Sequence, residues 1–79
     1  MPTPKDEIII GSMLKRLRTD RGVTQEAVAA AIGIPQTIVS RIERGTRRVT
    51  VSELRLACAE MGVSMADFAA EFEEKARAA

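Results

Sequence analysis

Apolar residues recur at helical spacing along most of the chain. Ile10, Met13, Leu14 and Leu17 fall three and four apart, with Lys15, Arg16 and Arg18 between them, and Gly22 follows as a terminating glycine. A first helix over about residues 7–21 is predicted. Thr24 can cap a second helix through its hydroxyl; Val28, Ala29 and Ile32 form its apolar stripe, and Gly33 ends it after about eight residues. Pro35 suits the first turn of a third helix, where its missing N–H costs nothing, and Val39 and Ile42 face inward until Gly45. Thr50 to Glu53 reads as a capping box starting a fourth helix, with Val51, Leu54, Ala57, Cys58 and Met61 on one face and Gly62 at its end. Ser64 to Asp67 can start a fifth, carrying Met65, Phe68, Ala69 and Phe72. The expected fold is all-α, five helices with no strand and no internal repeat.

The first six residues, with Pro2 and Pro4 and no periodicity, read as a flexible N-terminal arm, and residues 7–79 as one domain. Seventy-nine residues support one modest core, because so short a chain cannot hide much of its surface. The 46% hydrophobic and 29% charged content is that of a globular chain. A formal charge of +1 conceals an asymmetry. Residues 1–50 carry nine Lys/Arg and five Asp/Glu, net +4, and residues 51–79 carry three and six, net −3. A basic front and an acidic back suit a protein that presents one face to a polyanion.

Several functions are disfavoured. The chain has no His and a single Cys58, so neither an internal disulfide nor the usual imidazole and thiolate metal sites can be assembled, and a reducing, cytoplasmic setting is expected. Cys58 itself reads as a small core residue, with no marker of an activated thiolate nearby. No apolar run approaches the ~20 residues that span a bilayer, and MPTPKDEIII lacks the start of a signal peptide. With no His or Tyr, no phosphate-binding glycine loop and scattered carboxylates, no catalytic set can be nominated and no cofactor is expected.

Residues 24–45, TQEAVAAAIGIPQTIVSRIERG, hold the densest pattern. Two short helices joined by a tight turn need a small residue at their crossing, a permissive residue in the turn and apolar residues at fixed inward positions. Val28, Ala29, Ile32, Gly33, Ile34, Val39 and Ile42 meet those demands, with Gly33 able to take the positive φ of a sharp helix exit. A plain helical hairpin in a bundle core would use the same positions. The outward face of the third helix shifts the balance, because Gln36, Thr37, Ser40, Arg41 and Arg44 supply hydrogen-bond donors with no carboxylate until Glu43. Gln pairs with adenine edges and Arg with guanine.

Through LKRLRTDRGVTQEAVAAAIGI and VSRIERG the chain resembles the Cro and phage-repressor type (XRE) helix-turn-helix family over about residues 8–72. The resemblance implies a five-helix lambda-repressor-like domain whose third helix enters the major groove of double-stranded DNA, usually as a homodimer on a palindromic operator. It implies base reading by Gln36, Thr37 and Arg41. It gives Gln25 a phosphate contact and the bracing of Gln36, and backbone gripping to Ser40, Arg44, Thr46, Arg47 and Arg48. It makes Arg18 and Glu43 a structural ion pair joining the first helix to the end of the third. Two positions depart from the family's pattern: Pro35, where a hydroxyl often caps the helix, and Ile38, often polar, which either touches a thymine methyl or packs partly against the second helix or a neighbouring subunit. Phe68 falls at a core position. Phe72, one turn on, either closes the monomer core or makes a dimer contact, and the dimer is the favoured reading; Leu56 could join it. The implied function is a stand-alone transcriptional regulator, a repressor or a phage or restriction-modification controller. The alternative is an antitoxin or interaction module whose main partner is a protein such as a toxin.

Overall fold

Helical periodicity and capping chemistry together account for every element in the computed structural model, which describes residues 4–79. The elements are α1 (Pro4–Asp20), α2 (Gln25–Ile32), α3 (Gln36–Glu43), α4 (Val51–Met61) and α5 (Met65–Ala78), and no strand occurs among the described residues. α1 starts earlier than its apolar stripe suggests. Pro4 fits a first turn, and Asp6 and Glu7 favour the positive end of the helix dipole, so Pro4, Lys5 and Asp6 are helical instead of part of an arm. The rest of that expected arm, residues 1–3, lies outside the described residues.

Three helices begin on a hydroxyl cap. The Thr24 hydroxyl accepts from the Ala27 N–H at 3.0 Å, that of Ser64 from Asp67 at 2.9 Å, and that of Thr50 from Glu53 at 3.1 Å. The Glu53 carboxylate completes a capping box by accepting from the Thr50 N–H at 2.9 Å. α3 differs. Pro35 occupies its N-cap position, one residue outside the first turn, and has no side chain with which to cap. At the other end of α2, Gly33 takes φ +85°, the left-handed exit its place in the turn requires.

α2 packs on α3 and α4, α1 packs on α3 and α5, and α4 meets α5. The core between them is Met13, Leu14, Leu17, Val28, Ala29, Val39, Ile42, Ala57, Cys58, Met61 and Phe68. Ile32, Ile34, Ile38 and Phe72 pack around it, half-buried. Ile38 is thereby part of the chain's own packing. Phe72 lies against its own core while keeping part of its ring exposed. Val51 corrects the expected stripe of α4: it is 76% exposed, because the first turn of that helix projects beyond the core and burial begins with Leu54 and Ala57. Burial pushes the Cys58 thiol above its ordinary pKa, so it stays protonated and acts as a small apolar residue. No helix among the described residues is long and apolar enough to cross a membrane.

One close approach has no counterpart in the apolar pattern. A Cβ on Gly11 would lie 2.3 Å from the Ile42 carbonyl oxygen and 2.8 Å from that of Glu43. A glycine inside a helix costs about 1 kcal/mol relative to alanine. Here its bare Cα lets α1 rest directly on the last turn of α3.

Candidate nucleic-acid interface

The eight residues of α3 divide sharply between inside and outside. Val39, Ile42 and Glu43 are buried; Thr37 and Arg41 are exposed, as is Arg44 just beyond; Gln36 and Ser40 are half-buried at the margin. At 100° per residue, positions 36, 37, 40, 41 and 44 form one continuous outward stripe.

Glu43 is the one carboxylate in α3, and the fold removes it from that stripe. Its side chain is 4% exposed. Arg18 reaches it from α1 in a two-point grip, Nε to Oε2 at 2.7 Å and Nη2 to Oε1 at 3.0 Å, and uses Nη1 to donate to the Val23 carbonyl at 3.0 Å. Hydrogen bonding to Glu43 raises the Arg18 pKa above its already high ordinary value, so the guanidinium is charged at every relevant pH. Gln25, from the first turn of α2, donates from Nε2 to Glu43 Oε1 at 2.9 Å. Its own Oε1 accepts a hydrogen bond from Gln36 Nε2. Arg18, Glu43, Gln25 and Gln36 therefore form one connected chain from α1 to the leading edge of α3, and no buried side-chain polar atom among the described residues lacks a partner.

The segment after α3 is less uniformly available than its sequence suggests. Arg44 and Arg48 are exposed. The Thr46 hydroxyl is occupied, donating to the Arg41 carbonyl at 3.1 Å. Arg47 is half-buried, bound through Nη1 to Glu53 Oε1 at 2.6 Å and to the Arg48 carbonyl at 2.8 Å. That guanidinium, followed by the Thr50 backbone N–H, holds the Glu53 carboxyl below its ordinary pKa. The spacing of a capping box signals Glu53's role toward Thr50. Its second role, partly neutralising Arg47, depends on how the loop folds back and has no local signature.

Arg41, Arg44 and Arg48 thus stand exposed around the α3 stripe, and none of the three pairs with a carboxylate among the described residues. The arrangement is a projecting helix with a polar, cationic face, held from behind by α1 and α2. Among the described residues no group of three Cys, Asp or Glu side chains is placed to hold a metal ion.

Comparison with known proteins agrees with this geometry. The Helix-turn-helix family pattern matches residues 14–68. The HTH-type transcriptional regulator y4dJ of Sinorhizobium fredii is 43% identical over 56 residues, covering 71% of this chain and 73% of that protein. Control protein C.MunI of Mycoplasma sp is 31% identical over 70 residues, covering 87% of this chain and 95% of that protein. Among solved structures, the wild-type restriction-modification controller protein C.Esp1396I superposes with a TM-score of 0.80 at 26% identity, over 94% of this chain and 96% of that one. The match spans α2, the turn and α3 together with their supporting helices, and the chain belongs to the helix-turn-helix family of the Cro and phage-repressor (XRE) type.

Proposed function

We propose that this chain is a sequence-specific transcriptional regulator that places α3 in the DNA major groove and acts as a homodimer on a palindromic operator. The observation that carries this reading is the outward stripe of α3, rich in donors, with its one carboxylate buried against Arg18. On this reading Gln36, Thr37 and Arg41 contact base edges, where Gln suits adenine and Arg guanine. Ser40, Arg44 and Arg48 contact the phosphate backbone, fixing register and supplying salt-dependent affinity. Arg47 and Thr46 contribute less to that grip, because Glu53 and the Arg41 carbonyl already engage them.

The control and controller proteins that this chain resembles support a transcriptional regulator. Enrichment of bound sequences from a random duplex pool tests the reading. The expected motif is two-fold symmetric, with half-site centres roughly 34–36 Å apart or a multiple of that. A folded protein with no duplex binding at low salt would overturn it and favour a protein partner instead.

The homodimer is assigned to the exposed part of Phe72 on α5. Phe72→Glu should convert a dimer to monomers in sedimentation while leaving the helical content intact; an unchanged dimer would place the interface elsewhere.

A further inference from the structure

Two side chains near the start of α1 serve neither the core nor the ion pair with Glu43. Ile8 is 55% exposed, one of the few large apolar residues so placed, and Lys5 is exposed and pairs with no carboxylate among the described residues. Both lie where α1 meets the segment that follows α3. We propose that the first turns of α1 form a further DNA-contacting edge, on which Lys5 grips a backbone phosphate beside the one met by Arg44. Lys5 can do so only if α3 enters the groove as proposed above.

Gly45 fixes the place of this edge. A Cβ there would lie 2.9 Å from Ile8 Cγ1, 3.0 Å from Ile8 Cα and 3.2 Å from Ile8 N. The contact thus involves the backbone of α1 as well as a side chain, and only a bare Cα admits it. Three residues further along α1, Gly11 meets the Ile42 and Glu43 carbonyls in the same manner. One glycine on each side therefore seats α1 against the end of α3 across a full turn. Arg44, exposed and without a carboxylate partner among the described residues, directly precedes Gly45.

Lys5 precedes Ile8 by three residues, about 4.5 Å along the helix axis and about 60° round it. Asp6 and Glu7 project about 100° and 160° away from Lys5, and both are half-buried. Its neighbours one turn on are Ile8 and Ile9, which carry no charge. The nearest charged residue across the contact is Arg44, of the same sign, so the counter-charge for both must come from outside the chain. Phosphates succeed one another about every 3.4 Å of axis along a DNA strand. A cation displaced by one helical turn from the Gly45 contact falls beside a neighbouring phosphate. Such a contact adds affinity and register without reading sequence.

Salt dependence of binding to a duplex that carries the selected motif tests this edge. Each phosphate contact removed lowers the slope of log K against log salt by about 0.9. Lys5→Ala should lower it by about that much per half-site, with the selected motif and the denaturation midpoint as in wild type. Ile8→Lys keeps an alkyl stem over Gly45 and adds a cation to the same edge, so it should steepen the slope by about the same amount. Lys75→Ala, on α5, is the control and should leave the slope unaltered.

A wild-type slope in either folded α1 variant would overturn the edge, as would a motif changed by Lys5→Ala or an equal loss in Lys75→Ala. In those cases a slope lowered by Arg44→Ala would leave the docking of α3 standing. If Arg44→Ala also leaves the slope unaltered, the backbone grip proposed for α3 itself is overturned.

Discussion

Helices α3 and α5 both carry cations outward, and they treat them in opposite ways. On α5, Lys75 and Arg77 each follow a glutamate by one turn and pair with it, Lys75 with Glu71 at 3.9 Å and Arg77 with Glu73 at 3.0 Å; Arg16 of α1 also binds Glu71. On α3 the carboxylate is turned inward and consumed by Arg18, leaving Arg41 and Arg44 facing solvent. The first arrangement nearly cancels its own field within a few ångströms. The second projects a field that a polyanion can meet. Counting cations therefore does not find an anion-binding surface; the placement of the nearby carboxylates does.

The largest expected effect strikes this contrast at its root. Glu43→Ala leaves the Arg18 guanidinium, 13% exposed, without its partner, and should lower stability by on the order of 3 kcal/mol in chemical denaturation. Glu71→Ala, which unpairs exposed cations, should cost less than about 1 kcal/mol. Equal losses would show that burial of the carboxylate is not what separates the two helices.

A smaller effect probes the same contrast at the level of binding. Arg41→Ala should lose discrimination at one base pair per half-site, by roughly 1–3 kcal/mol, whereas Lys75→Ala should leave both affinity and motif unaltered. Arg48→Ala should weaken all sequences alike and reduce the salt slope by about one. Arg47→Ala should do so less, because Glu53 already holds that guanidinium. A selected motif identical for Arg41→Ala and wild type would remove Arg41 from the base readers.

The smallest effect concerns pH. Glu53 has a depressed pKa in the folded protein, so its contribution is fully present above the ordinary carboxylate value and is lost as pH falls through the lowered one. Wild type should therefore exceed Glu53→Gln in denaturation midpoint near neutrality, with the gap closing in acid below about pH 4. A gap that persists undiminished at lower pH would place the stabilisation in something other than the ionised carboxylate.

Much of this molecule is legible in its sequence because the signals are local. Thr24, Thr50 and Ser64 each act on an N–H three residues away, and Gly33 answers to the φ of its own position. The outward stripe of α3 is likewise legible from helical spacing. Two departures have the same origin, a local pattern that says nothing of its surroundings. Pro4 sits in a stretch without periodicity, yet it begins a helix. Val51 falls in register with the apolar stripe of α4, yet its turn projects past the neighbouring helices.

Five helices, three of them begun by hydroxyl caps, their inward stripes and a donor-rich face on the third are specified by residue order alone, since propensity, capping and periodicity all act within a few residues. Tertiary packing was needed to establish that Gly11 admits the end of α3, that Arg47 is partly spent on Glu53, that Phe72 lies against its own core, and that Glu43 reaches Gln36 through Gln25. Each of those depends on groups brought together from different elements, where a fraction of an ångström or the direction of an amide is set by packing and has no counterpart in the order of residues.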